Sequence, residues 1–208
     1  MSSCHLSLAK AEFYPQNFRV EAPEPLPEKI ITPRRTGCII VNAAAESSAA
    51  LLGRTFTAPD EGAPPSPVER VLVSASFGLV PHWVKSASDG RLRALKLVNA
   101  KIDNLTTGTA FRDAWLAGQR CIVPLQAFQV DDLRPGKPVP TRITRVDNQP
   151  MGAAGVWARW VGEDGEIITS YALITINANA HALMNRYGQP GNDTATPDSG
   201  IGILIAAK

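Results

Sequence analysis

The sequence predicts an α+β fold, mostly antiparallel, with seven or so strands in hairpin order and a few short helices. Three observations lead there. Several short segments alternate with period two or run apolar, among them Thr141–Val146 (TRITRV) and Ile167–Ile176 (IITSYALITI). Turn residues separate such segments at hairpin spacing, as in Glu163-Asp164-Gly165 and in the Arg-Pro-Gly-Lys of Asp131–Pro140. Parallel βαβ repeats are not apparent, and no phosphate loop of G-x-G-x-x-G or G-x-x-x-x-G-K-[ST] type occurs.

Taken in order, the segment 1–36 reads as irregular. Pro15, Pro23, Pro25, Pro27 and Pro33 oppose a continuous helix, and Phe13, Tyr14 and Phe18 anchor the segment by burial. Gly37–Val41 (GCIIV) is a buried strand. Residues 43–67, rich in Ala, Ser, Gly and Pro, form a surface loop with room for one short helical turn. Val68–Phe77 alternates as a strand, and Gly78–Trp83 turns and presents an aromatic ring. Leu95–Val98 opens as a strand that leads into the polar elbow Asn99–Asn104. A Thr/Gly turn and a helix over Thr109–Leu116 follow. Arg120–Phe128 is a strand broken at Pro124. Met151–Val161 is a strand whose small residues Gly152-Ala153-Ala154-Gly155 permit close backbone approach. Ala178–Arg186 reads as a short helix, and 188–208 is an atypical end with one last strand, Ile201–Ile205.

Length fits a single domain over 1–208. A hydrophobic content of 44% supports a core, and a formal net charge of +2 says little about partners. The cations are unevenly placed. Lys85, Arg91, Arg93, Lys96, Lys101, Arg112 and Arg120 face only Asp89, Asp103 and Asp113 across one window, which suits an anionic ligand or simply a solvated face. Three cysteines, Cys4, Cys38 and Cys121, make no disulfide framework, and zinc-type Cys/His spacings are absent. No metal or cofactor is expected. No signal peptide or membrane-spanning run is recognisable, so a soluble, cytoplasmic monomer is the expected state.

The candidate chemistry starts from the cysteines. Cys38 and Cys121 sit inside apolar strands and read as small buried hydrophobes. Cys4 lies beside His5 at what reads as a flexible N-terminus. If the three residues before it were removed, Cys4 would carry an α-amine and a thiol on neighbouring carbons, a pair that closes a thiazolidine on an aldehyde. Asn99 can orient a nucleophile or a substrate hydroxyl, or cap an Asx-turn. His181 opens the helix after the strongest strand. Trp83, His82, Lys101, Arg112 and Arg186 could form a stacking and phosphate-contact surface for single-stranded nucleic acid, although Trp83 equally suits a core.

Four blocks of this sequence resemble the SRAP family (SOS-response-associated peptidase, the abasic-site processing proteins). They are FGLVPHWVK, VNAKIDN followed by FRDAWLAGQRCIVPLQAF, QPMGAAGVWARW, and ITINANAHALMNRYGQPG. The resemblance implies an antiparallel pseudo-barrel with a basic cleft for single-stranded or abasic-site DNA. It also implies a thiazolidine crosslink through an N-terminal cysteine, which can remove the residues ahead of it. On that resemblance Cys4 and Asn99 are the reactive pair, Lys101 stands for the arginine after the asparagine, and Trp83 lines the cleft. Beyond that lysine, the sequence departs from the pattern at its N-terminus, at two chemical positions, and beyond Pro190, where the usual apolar strand and helix are lacking apart from Gly200–Ile205. Met1-Ser2-Ser3 precede Cys4, Val130 stands at the acid/base glutamate, and Gly188 stands at the histidine, for which His181 is a displaced substitute. Two other readings stand beside it: a DNA-binding module that kept the fold alone, and a hydrolase pairing Cys121 with His181.

Overall fold

The computed structural model describes residues 4–57, 68–132, 135, 137–177, 184, 200–202, 204 and 205. Two sheets make up the body. The larger closes on itself. Strands β3 (Thr36–Asn42), β4 (Arg70–Phe77), β6 (Arg120–Leu125), β9 (Met151–Val161) and β10 (Ile167–Asn177) form a ring in the order β10-β4-β3-β6-β9, with β9 pairing β10 to shut it. Strands β5 (Asn99–Lys101), β11 (Gly200–Gly202) and β12 (Leu204–Ile205) add to its edges. The smaller sheet runs β2-β1-β7-β8, from β1 (His5–Leu6), β2 (Ile30–Ile31), β7 (Ala127–Asp132) and β8 (Val139–Ile143). The predicted α+β, mostly antiparallel class is the observed one. Among the described residues, the parallel pairings both involve β10, with β4 and with β5.

The period-two pattern sets which residues face inward. Ile39, Val41, Phe77, Val123, Leu125, Trp157, Tyr171 and Leu173 fill the barrel. Outside it, α4 (Arg112–Leu116) and β5 cover one stretch of wall through Leu79, Ala100, Leu105, Phe111 and Ile174. The N-terminal segment covers another through Leu8, Tyr14, Phe18, Val20 and Ile40. Two glycines are dictated by this packing. Gly37 leaves the space that the Tyr171 hydroxyl occupies. Gly78 has φ +102° and abuts the Ala94 carbonyl, so a side chain there would be both strained and obstructed.

Several local expectations are corrected. The segment 1–36 is not wholly irregular: it holds β1, β2 and helix α1 (Phe13–Phe18). Pro15 is tolerated because it lies in the first turn, where its missing N–H has no intrahelical partner. The helix ends at Arg19, in the left-handed region, whose N–H bonds the Pro15 carbonyl at 3.2 Å. The Ala-rich loop yields helix α2 (Glu46–Leu52). Pro124 does not break β6. The β3 partnership of that strand is recorded only at Ile40↔Ile122, so the prolyl nitrogen need not donate there. The break comes instead at Gln126, whose N–H turns to the Leu6 carbonyl at 2.8 Å. The strand expected at Leu95–Val98 starts later, as β5, because Leu95–Leu97 close the end of a helix the sequence did not announce. That helix is α3 (Ala87–Ala94), capped by Ser86 and braced by an Asp89–Arg93 pair. Ala178–Arg186 lies outside the described residues except for Met184, which is buried in the core.

Candidate functional site

Cys4 is 6% exposed, contrary to the flexible terminus expected. It stands opposite Gln129 at the start of β1. The Gln129 N–H donates to the Cys4 carbonyl at 3.2 Å, and the thiol donates to the Gln129 side-chain oxygen. Two short pairings, His5↔Phe128 and Leu6↔Ala127, hold this edge. Burial, and secondarily the negative charge of Asp131, push the thiol above its ordinary pKa. Thiolate is therefore scarce, and Cys38 and Cys121, also buried, are pushed up by desolvation as well, Cys38 to about 11. A thiol reagent such as DTNB should thus label the folded protein slowly at neutral pH, and all three cysteines rapidly in denaturant. Rapid stoichiometric labelling that Cys4→Ala removes would contradict the burial of Cys4.

His5 points the other way, into the barrel. Its Nε2 lies 3.2 Å from the Tyr171 hydroxyl, and its ring meets Phe77 edge-on at 4.9 Å. Complete burial lowers its pKa to about 4 and holds it neutral. Tyr171 lies on the strand that pairs with the polar elbow. It shares the inward face of β10 with Leu173 and Thr175, and these two pair with Asn99 and Lys101 of β5. His5 and Tyr171 are thus in contact, and Tyr171 lies on the strand that pairs with β5, which carries Asn99 and Lys101. Val130, in place of the expected glutamate, is 3% exposed and packed in the core beside Phe128.

A second, exposed surface carries Trp83, and Arg112 is exposed on the neighbouring helix α4. The Trp83 indole, 42% exposed, donates to the Thr109 carbonyl at 3.1 Å, and the Arg93 guanidinium sits 5.1 Å from its ring. His82 Nδ1 lies 3.5 Å from Asp113, next to Arg112 in the first turn of α4. A 3-10 turn (Ile102–Asn104) and the Asn104–Gly108 bond join this surface to Lys101. His181 and Arg186 lie outside the described residues, as does Gly188. Sequence reasoning did not single out Gln129, His5 or Tyr171. The available signal was the alternation of Gln129 with Phe128 and Val130, which sends Gln129 to the face Cys4 shares. Among the described residues no cluster of His, Cys, Asp or Glu could hold a metal ion, and no helix is long and apolar enough to cross a membrane.

Comparison with known proteins adds a family. The family model described as SOS response associated peptidase (SRAP) matches residues 6–186. A curated relative, abasic site processing protein YoqW of Bacillus subtilis, is 29% identical over 104 residues, covering 50% of this chain and 44% of the relative. HMCES of Gallus gallus, also called an abasic site processing protein, is 26% identical over 141 residues, covering 59% of this chain and 42% of the relative. The chain thus spans less than half the length of these relatives. A crystal structure of a Bordetella bronchiseptica protein superposes with a TM-score of 0.72 at 28% identity, covering 97% of this chain and 82% of that one. One from Bacteroides thetaiotaomicron gives 0.67 at 18% identity, over 98% of this chain and 76% of that one, a likeness of fold alone.

Proposed function

The chain belongs to the SOS response associated peptidase (SRAP) family, and on that premise we propose that it acts at abasic sites in single-stranded DNA. The observation that supports this most is the exposed Trp83 indole under Arg93, bonded to the Thr109 carbonyl in the segment that leads into α4 and its Arg112. A base can stack on such a ring while Lys101, Arg112 and Arg186 meet phosphates. Cys4 is the proposed capture group. Once Met1, Ser2 and Ser3 are removed, its α-amine condenses with the ring-opened sugar aldehyde to an imine, releasing one water. The thiol sulfur then adds to the imine carbon, its proton passes to the nitrogen, and the thiazolidine closes with no further leaving group. Asn99 orients the sugar, and His181 serves the proton transfers. A non-covalent module is the second reading, favoured by the burial of Cys4 and by Val130 at the glutamate position.

Intact mass locates the N-terminus, and a denaturing gel of protein incubated with an abasic single-stranded oligonucleotide reads the crosslink. A shifted band that Cys4→Ala removes supports covalent capture. No band, together with binding that weakens steeply with salt, leaves the module. Trp83→Ala should weaken binding by about 1–3 kcal/mol in either case. Absence of DNA binding would defeat both readings.

A further inference from the structure

On the outer wall of the barrel, between the two patches that cover it, lies an open apolar pocket of about 420 Å³. Its floor follows from register. Ile40 of β3 pairs with Ile122 of β6, and Ile122 pairs with Ala154 of β9, so three apolar side chains lie in one row across three strands. Ile174 of β10 extends the floor, and Trp115, Ile102 and Val68 form the sides. The N-terminal segment reaches this wall at Ile40, while α4 and β5 reach it at Ile174. Ile122 packs partly against the first patch and Ala154 partly against the second, and both stay half-buried along the strip between them.

The polar groups of the pocket are few and of one sign. Arg120 and Arg70 line it with Asn42, and no carboxylate is among the described lining residues. The Arg120 guanidinium is held 4.2 Å over the Trp115 ring. Arg70 is anchored by a 3.1 Å bond from one guanidinium nitrogen to the Phe18 carbonyl, with the rest of its fork still available. Both cations are thus oriented before any ligand arrives, which lowers the entropy lost on binding. An apolar cavity of this size with a small number of placed polar groups is the usual make-up of a small-molecule site.

We propose that this pocket binds a small amphipathic anion, with an acyl or aromatic body against Ile40, Ile122, Ala154 and Ile174 and one carboxylate or phosphate head on Arg120 and Arg70. The site is independent of the DNA reading, since it uses neither Cys4 nor Trp83. The occupant is an anion rather than a neutral apolar molecule because two arginines, with no carboxylate among the described lining residues, flank the apolar cavity.

Decanoate, decylamine and decanol serve as probes, read by tryptophan fluorescence and by calorimetry on the full chain. Decanoate should bind saturably, and decylamine at least about tenfold more weakly, from the sign of the rim. Arg120→Gln should weaken decanoate by about tenfold, the loss expected for one charge-assisted bond, while leaving decanol unchanged. Ala154→Phe should abolish binding of all three by filling the floor, with folding verified by circular dichroism and DNA binding retained. Three results overturn the proposal: no saturable binding of decanoate, equal binding of decylamine, or undiminished binding by folded Ala154→Phe protein.

Discussion

Replacing Trp157 by alanine should destabilise the protein by about 3–5 kcal/mol, the range for emptying a large aromatic site in a core. Against a total stability of about 5–15 kcal/mol, that loss brings many domains close to unfolding at physiological temperature. Trp157 is 1% exposed and belongs to the inner cluster with Phe77, Tyr171 and Val123. It lies on β9, which bonds to β6 on one side and to β10 on the other, so a cavity there loosens the seam that closes the ring. The indole N–H finds no acceptor among the described residues. Trp157→Phe should therefore cost much less than alanine, since it removes a buried donor along with part of the ring. Chemical denaturation of the three proteins checks this. Equal losses for the phenylalanine and alanine variants would show that the N–H, rather than ring volume, carries the stability.

Lowering the pH from 6.5 to 4 should remove about 3 kcal/mol of stability through His5 alone. The folded protein holds this ring neutral because burial depresses its pKa from 6.5 to about 4. The unfolded chain protonates it near 6.5. Between those values the unfolded state binds more protons, so stability rises with pH across the window and is lost as pH falls through it. Below about 4 both states are protonated and the loss is complete. His5→Phe keeps an aromatic edge toward Phe77 and has no proton to take up. Its melting temperature should stay flatter than that of the wild type across the window, carboxylate titrations being common to both. Parallel curves for the two proteins would refute the role of His5.

The sequence made the barrel strands legible where burial and alternation coincide, as in Ile167–Ile176, which became β10 nearly residue for residue. It misled where one residue type carried the inference. Pro124 was read as a break, yet its effect depends on whether a neighbouring strand needs an N–H donor at that position, which only topology decides. Helix α3, Ala87–Ala94, escaped because its sequence, ASDGRLRA, lacks an apolar stripe. Its stability comes from the Ser86 cap and the charge pair. Cys4 looked free because β1 is two residues long, too short to show a period, and its burial comes from a partner strand far along the chain. Asn99 and Lys101 were singled out by resemblance alone, whereas Tyr171, on the strand that pairs with theirs, was hidden inside an ordinary strand pattern.

The position of β10 has a bearing on synthesis. It is the late strand that β4, β5 and β9 all require, since it bonds to each of them. A nascent chain that has released only its first 166 residues holds β4 and β5 without that partner, so their edges stay open to other chains. The barrel can shut only after Asn177 has left the ribosome, and contacts this distant in sequence form slowly. Chaperone capture on stalled nascent chains should fall once the stall point passes this strand.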